Sequence, residues 1–146
     1  MRNKLGEFAL CLVLAACSRG SQQAEVIRAP LSASHPLIGA WRIDYPNVNC
    51  HEIDLIRQDG TTEITSGEEL SGSEFNISET PSSKGFYTWI DKVVRDNGKP
   101  DCTGSVMTLG DIATIYIFLD PSKNSFRMCN KEDLNTCFGT FIRQQQ

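Results

Sequence analysis

The sequence predicts an all-β domain: a small antiparallel meander of eight or nine strands, closed into a barrel or folded into a sandwich, and stapled by two disulfides. Three observations carry this prediction. No segment shows a sustained helical period. Short runs rich in Ile, Val, Thr, Phe and Tyr recur between turn-forming residues, and four cysteines lie in the stretch that holds those runs. The connections are short, as neighbouring antiparallel pairing requires.

The folded domain is expected from about Leu37 to the end of the chain, 37–146. Its first run, 38–45, places Trp41, Ile43 and Tyr45 on one face. The run 52–57 leads through Asp59-Gly60 into 61–65, and Asp-Gly between extended runs signals a hairpin because Gly tolerates positive φ. Further strands are expected at 74–78, 86–94, 105–109, 112–119, 126–129 and 137–143. Gly67, Gly72, Pro81, Asn97-Gly98, Gly110-Asp111 and Asp120-Pro121 punctuate them. Helix is confined to at most one turn around 131–134. Along 86–94, alternation sends Tyr87 and Trp89 to one face and Phe86 and Thr88 to the other.

Gly39-Ala40-Trp41 in the first strand, with Arg143 at the end of the last, resembles the lipocalin arrangement. The resemblance rests on these end residues and favours a barrel over a sandwich. It implies that Trp41 closes the bottom of the barrel and that Arg143 packs over its ring, a contact contributing about 0.5–2 kcal/mol.

The beginning of the chain reads as an address. Arg2 and Lys4 precede the apolar run 8–16, the parts of a secretory signal. That run is far shorter than the ~20 residues of a spanning helix. Leu14-Ala15-Ala16-Cys17 resembles the bacterial lipobox, which implies a signal peptide over 1–16 and a Cys17 carrying diacylglycerol and a further acyl chain such as palmitate. Several chains hold a protein on a bilayer almost permanently. Ser18 follows, where aspartate commonly signals inner-membrane retention, so the implied address is the outer membrane, facing the periplasm. Residues 17–36 are polar and unpatterned after the cysteine and read as a flexible tether reaching up to ~60 Å.

With 40% hydrophobic and 22% charged residues, the 146-residue chain can bury a core. Its net charge of −4 argues against binding a nucleic-acid backbone. Loss of residues 1–16 would leave 12 basic and 17 acidic residues. With Cys11 removed and Cys17 lipidated, Cys50, Cys102, Cys129 and Cys137 remain, and three pairings are open. A local bridge from Cys129 to Cys137 is the simplest, leaving Cys50 with Cys102. A metal site built from these cysteines and His51 is disfavoured, because zinc prefers close pairs and neighbours in a strand face opposite ways.

The sequence shows no catalytic residues, metal ligands or cofactor-binding motif: G-x-S-x-G, H-E-x-x-H and phosphate-binding glycine loops are missing. Two features bear on binding. Six acids (Asp59, Glu63, Glu68, Glu69, Glu74, Glu79) fall in a stretch with no Lys or Arg from Gln58 to Ser83. Glu68, Glu69 and Glu74 would then present a negative patch to a cationic partner. Tyr87 and Trp89 would be interface anchors if they faced out, although a core position is the simpler expectation.

The leading expectation is a membrane-anchored, non-enzymatic binding module that engages or inhibits a cationic protein. Small periplasmic lysozyme inhibitors and lipoprotein immunity proteins are similar in design. The alternatives are a lipocalin-type carrier of a small apolar ligand and a passive envelope lipoprotein. Against the carrier stand Trp41, Phe75, Phe86, Tyr116, Phe118 and Phe138, large side chains expected to fill the interior.

Overall fold

A computed structural model describes residues 28–145; the expected signal peptide, Cys17 and the start of the tether lie outside the described residues. Eight strands follow one another: β1 (Gly39–Tyr45), β2 (Cys50–Ile56), β3 (Thr61–Ser66), β4 (Glu69–Ile77), β5 (Phe86–Asp96), β6 (Ile112–Leu119), β7 (Ser125–Cys129) and β8 (Cys137–Arg143). Each pairs antiparallel with the next, and β8 returns to β1, closing the barrel. Helix is limited to two 3-10 turns, Pro46–Val48 and Leu134–Thr136. Cys50 is bonded to Cys102 and Cys129 to Cys137.

Two expected strand boundaries are corrected. Residues 105–109 belong to one long loop between β5 and β6. Gly104 and Gly110 hold positive φ there, and the Asp101 carboxylate accepts hydrogen bonds from the Thr103 and Ser105 amides, so the chain turns rather than extends. Strand β4 begins at Glu69 and not near residue 74. Gly67 adopts φ 62° in a two-residue turn, Ser66 lies opposite Glu69, and the segment Glu-Leu-Ser-Gly-Ser continues the ladder.

Residues opposite one another in a ladder share a face. The register therefore puts Trp41, Ile56, Phe75, Ile77, Tyr87, Trp89, Ile117, Phe126 and Phe141 inside, and these side chains pack as one apolar cluster. They fill only one half of the lumen. Of the six large side chains expected to fill it, Trp41 and Phe75 do so. Strand alternation sends Phe86, Tyr116 and Phe118 outward, the Phe86 and Phe118 rings meeting at 5.3 Å, and Phe138 is 59% exposed.

The apolar end is sealed twice. Trp41 is fully buried, meets Phe126 edge-on at 4.6 Å and donates its indole N–H to the Leu37 carbonyl at 2.8 Å. The Arg143 guanidinium lies 4.0 Å over the Trp41 ring and donates to the carbonyls of Lys123, Ile38 and Pro36. Gly39 has φ 130°, and a Cβ there would stand 3.1 Å from an Arg143 nitrogen, so this packing requires glycine.

Residues 28–36 add the second seal. Leu31, His35 and Leu37 are buried, the Ala29 and Leu31 amides donate to the Phe75 and Gln58 carbonyls, and the His35 ring meets Tyr87 at 5.3 Å. At Gly60 a Cβ would come within 2.9 Å of the Ala29 carbonyl oxygen. The part of the expected tether after residue 27 is thus packed against the domain, because its apolar residues cover the end of the barrel.

Candidate ligand site at the open end of the barrel

The other half of the lumen has a different composition, for a reason visible in the register. Trp41 points inward, and Asp54 lies directly opposite it; Ile43 faces Glu52 in the same way. The acids of His-Glu-Ile-Asp-Leu-Ile therefore point into the barrel. From β5, Asp91 shares the face of Tyr87 and Trp89, and from β4 Glu69, Ser71 and Ser73 follow the face of Phe75. Four carboxylates and several hydroxyls line the lumen above the apolar cluster.

A cavity of about 410 Å³ opens among them. Its lining mixes the acids Glu52, Asp54 and Asp91 with apolar Trp89, Met107, Ile115 and Met128, and Asp91 stands beside Trp89 on β5. This is within the range of small-molecule sites, roughly 300–1,000 Å³. Met107 comes from the β5–β6 loop, which the Cys50–Cys102 disulfide ties to β2. Replacing both of these cysteines by Ser should lower stability by about 3–4 kcal/mol, the entropy of a loop of this length. Urea unfolding reads this directly; an unchanged midpoint would show that the loop is held without the bridge.

The carboxylates differ in their partners. Asp91 accepts from Ser73 Oγ at 2.5 Å and from the Trp89 indole N–H at 3.2 Å. Asp54 is 2% exposed, and its Oδ1 has no hydrogen-bond partner; both oxygens of the fully buried Glu69 also lack one in good geometry, although Ser71 and Asp96 are close enough to influence its titration. None of Glu52, Asp54, Glu69 and Asp91 forms an ion pair among the described residues.

Burial without a cation raises their proton affinity. Burial pushes Asp54 well above the ordinary carboxylate range, reinforced by the charges of Glu52 and Asp91. Burial likewise raises Glu52, with Asp101 adding to it and Ser66 opposing, and raises Asp91 against its two hydrogen bonds. Glu69 is pushed by burial to about 7, and Tyr45, at the rim near Glu52, to about 12.

The residues expected to form a protein-binding patch are not brought together. Glu69 is inside the barrel, and Tyr87 and Trp89 are core residues at 8% and 3% exposure, so none of the three is a surface anchor. Strand parity points all of them inward, set by the ladder with β6 for Tyr87 and Trp89 and by the ladder with β3 for Glu69. The acidic stretch is also largely neutralised: Asp59 pairs with Arg28, Glu63 with Arg57 and Arg95, and Glu74 lies 3.8 Å from Arg28. Glu79 accepts from the Ser32 amide, which leaves Glu68 in its exposed turn. These arginines lie outside the stretch in sequence and reach it only through the fold.

Among the described residues, no group of three or more His, Cys, Asp or Glu side chains is placed to hold a metal ion. A second, wider groove of about 660 Å³ runs along the outer seam of β1 and β8, where Val48, Leu134 and Phe138 are exposed. Comparison with protein-family models, with curated proteins and with solved structures finds no match.

Proposed function

We propose that this chain is an envelope-anchored, non-enzymatic binding protein that takes a small molecule in the open half of its barrel. The observation that carries the reading is the division of the lumen. One half is filled by the apolar cluster and sealed by Trp41, Arg143 and residues 28–38, while the other retains a cavity lined by both acids and apolar side chains. A barrel needing only stability would gain by filling that space, since cavities cost stability. The address is the one implied by the lipobox-like Leu14-Ala15-Ala16-Cys17: an outer-membrane lipid anchor, periplasmic side.

Ala113 gives a test. It lines the cavity and is exposed enough to accept a larger side chain. The neutral apolar dye phenylnaphthylamine should bind the wild-type protein saturably, one to one. Ala113→Trp should weaken that binding at least tenfold with an unchanged melting temperature. Dye uptake that is not saturable, or that Ala113→Trp leaves intact, would sink the reading.

A protein partner is the second reading. With Glu69, Tyr87 and Trp89 inside, it rests on the seam groove and its exposed Val48 and Phe138. Binding of a partner there would be lost in Phe138→Asp and kept in Ala113→Trp.

A further inference from the structure

The chemical class of the ligand follows from what the lining offers. Asp54 lines the cavity with Glu52, Asp91 and Asp111; it is buried, its Oδ1 receives no hydrogen bond, and its nearest polar neighbour is another acid, Glu52. A buried carboxylate without a partner costs several kcal/mol if ionised, unless a counter-charge reaches it. No Lys, Arg or His among the described residues pairs with these acids, and their geometry does not make a metal site. Trp89, Ile115 and Met128 in the same lining suit an apolar body beside the acids.

We propose that the site takes a small organic cation, its ammonium group against Asp54 and its apolar part against Trp89, Ile115 and Met128. This deepens the small-molecule reading above and rests on it. The cavity, about 410 Å³, has room for a small aromatic amine. An acid of the same shape would be repelled by the neighbouring carboxylates, and a neutral amphiphile would gain no charge pairing.

The raised proton affinity of the site adds a signature. Facing Asp54 are Glu52 on its own strand, Asp91 on β5 and Glu69 on β4, all acids, with Asp101 and Tyr45 near Glu52. Burial and these neighbouring acids favour the protonated form of Asp54 in the free protein, whereas a bound cation favours the ionised form, so proton release accompanies binding and affinity rises with pH.

The test is calorimetric titration of the full-length chain with phenylbutylamine, phenylbutanol and phenylbutyrate, which share one apolar body and differ in charge. The amine should bind at least tenfold tighter than the alcohol, tighter at about pH 8 than at about pH 5, with proton release seen as a buffer-dependent heat. Asp54→Asn should abolish the preference for the amine over the alcohol. If the alcohol or the acid binds wild type as well as the amine does, the cation assignment is overturned, and the small-molecule reading stands. If none of the three binds or displaces phenylnaphthylamine, and the dye itself does not bind, both readings fall. The comparison within wild type needs no variant to fold.

Discussion

Trp41→Ala should lower the stability of the domain by about 3–5 kcal/mol, the range for truncating a fully buried large aromatic residue. Three losses coincide at this position. The cavity left behind is bounded by Phe126 and Phe141, whose rings stack at 4.9 Å and cannot spread into it. The Leu37 carbonyl loses its indole donor, and the Arg143 guanidinium loses the ring it covers. The site is also where the barrel closes: β1 and β8 share only the pairs Trp41 with Arg143 and Arg42 with Ile142. Arg143→Ala should cost less, because it leaves the aromatic packing in place and removes a cation–π contact of about 0.5–2 kcal/mol with its carbonyl hydrogen bonds. Urea unfolding followed by Trp89 fluorescence measures both. Equal midpoints for Trp41→Ala and wild type would mean that closure does not depend on this plug.

Stability should fall as pH rises from about 5 to about 8, the reverse of ordinary acid lability. Between its unfolded value and about 7, Glu69 is protonated in the folded chain and ionised in the unfolded one. The folded state then binds more protons, so the derivative of unfolding free energy with pH is negative over that interval. Glu69 alone contributes on the order of 2 kcal/mol, present below the ordinary carboxylate range and lost as pH passes 7. Asp54, Glu52 and Asp91 act in the same direction, because burial raises all three. Below about pH 4 the trend reverses. There the hydrogen-bonded surface acids Asp44, Asp59, Glu63, Glu79 and Asp120, all held below their ordinary values, become protonated. Glu69→Gln should raise the melting temperature at about pH 8 and flatten the slope. A melting temperature that climbs steadily from pH 5 to 8 would show that these acids are not desolvated as the register places them.

The outline of the fold was readable because strands with one apolar face leave a period of two. That pattern locates β1, β2, β3, β5, β6, β7 and β8 to within a few residues, and the Trp41–Arg143 pair marks the closing seam. The first half of β4 was not readable. Its inward residues are Glu69, Ser71 and Ser73, so the segment looks like a turn-rich loop although every second residue faces the lumen. The acids of the site were hidden by the same inversion. In His51-Glu52-Ile53-Asp54 the customary reading turns the acids outward, and only the parity fixed by Trp41 across the β1–β2 hairpin turns them in. That parity was available, as was the shared face of Tyr87, Trp89 and Asp91; following it would have placed Asp54 and Asp91 beside the core. The ion pairs that neutralise the acidic stretch carried no local signal, since Arg28 and Arg95 approach it from distant parts of the chain.

The central claim, a ligand held among the acidic and apolar residues of the open half of the lumen, has reporters already in place. The chain has three methionines, and two of them, Met107 and Met128, line the cavity, the third being Met1. Carbon-13 methyl spectra of methionine-labelled protein, recorded while phenylbutylamine is added, show where it binds. The account predicts that the Met107 and Met128 methyl signals move together and saturate at one equivalent, and that both stay in place in Ala113→Trp. Saturable binding that leaves both signals unmoved in the wild-type protein would contradict it and put the ligand elsewhere on the barrel.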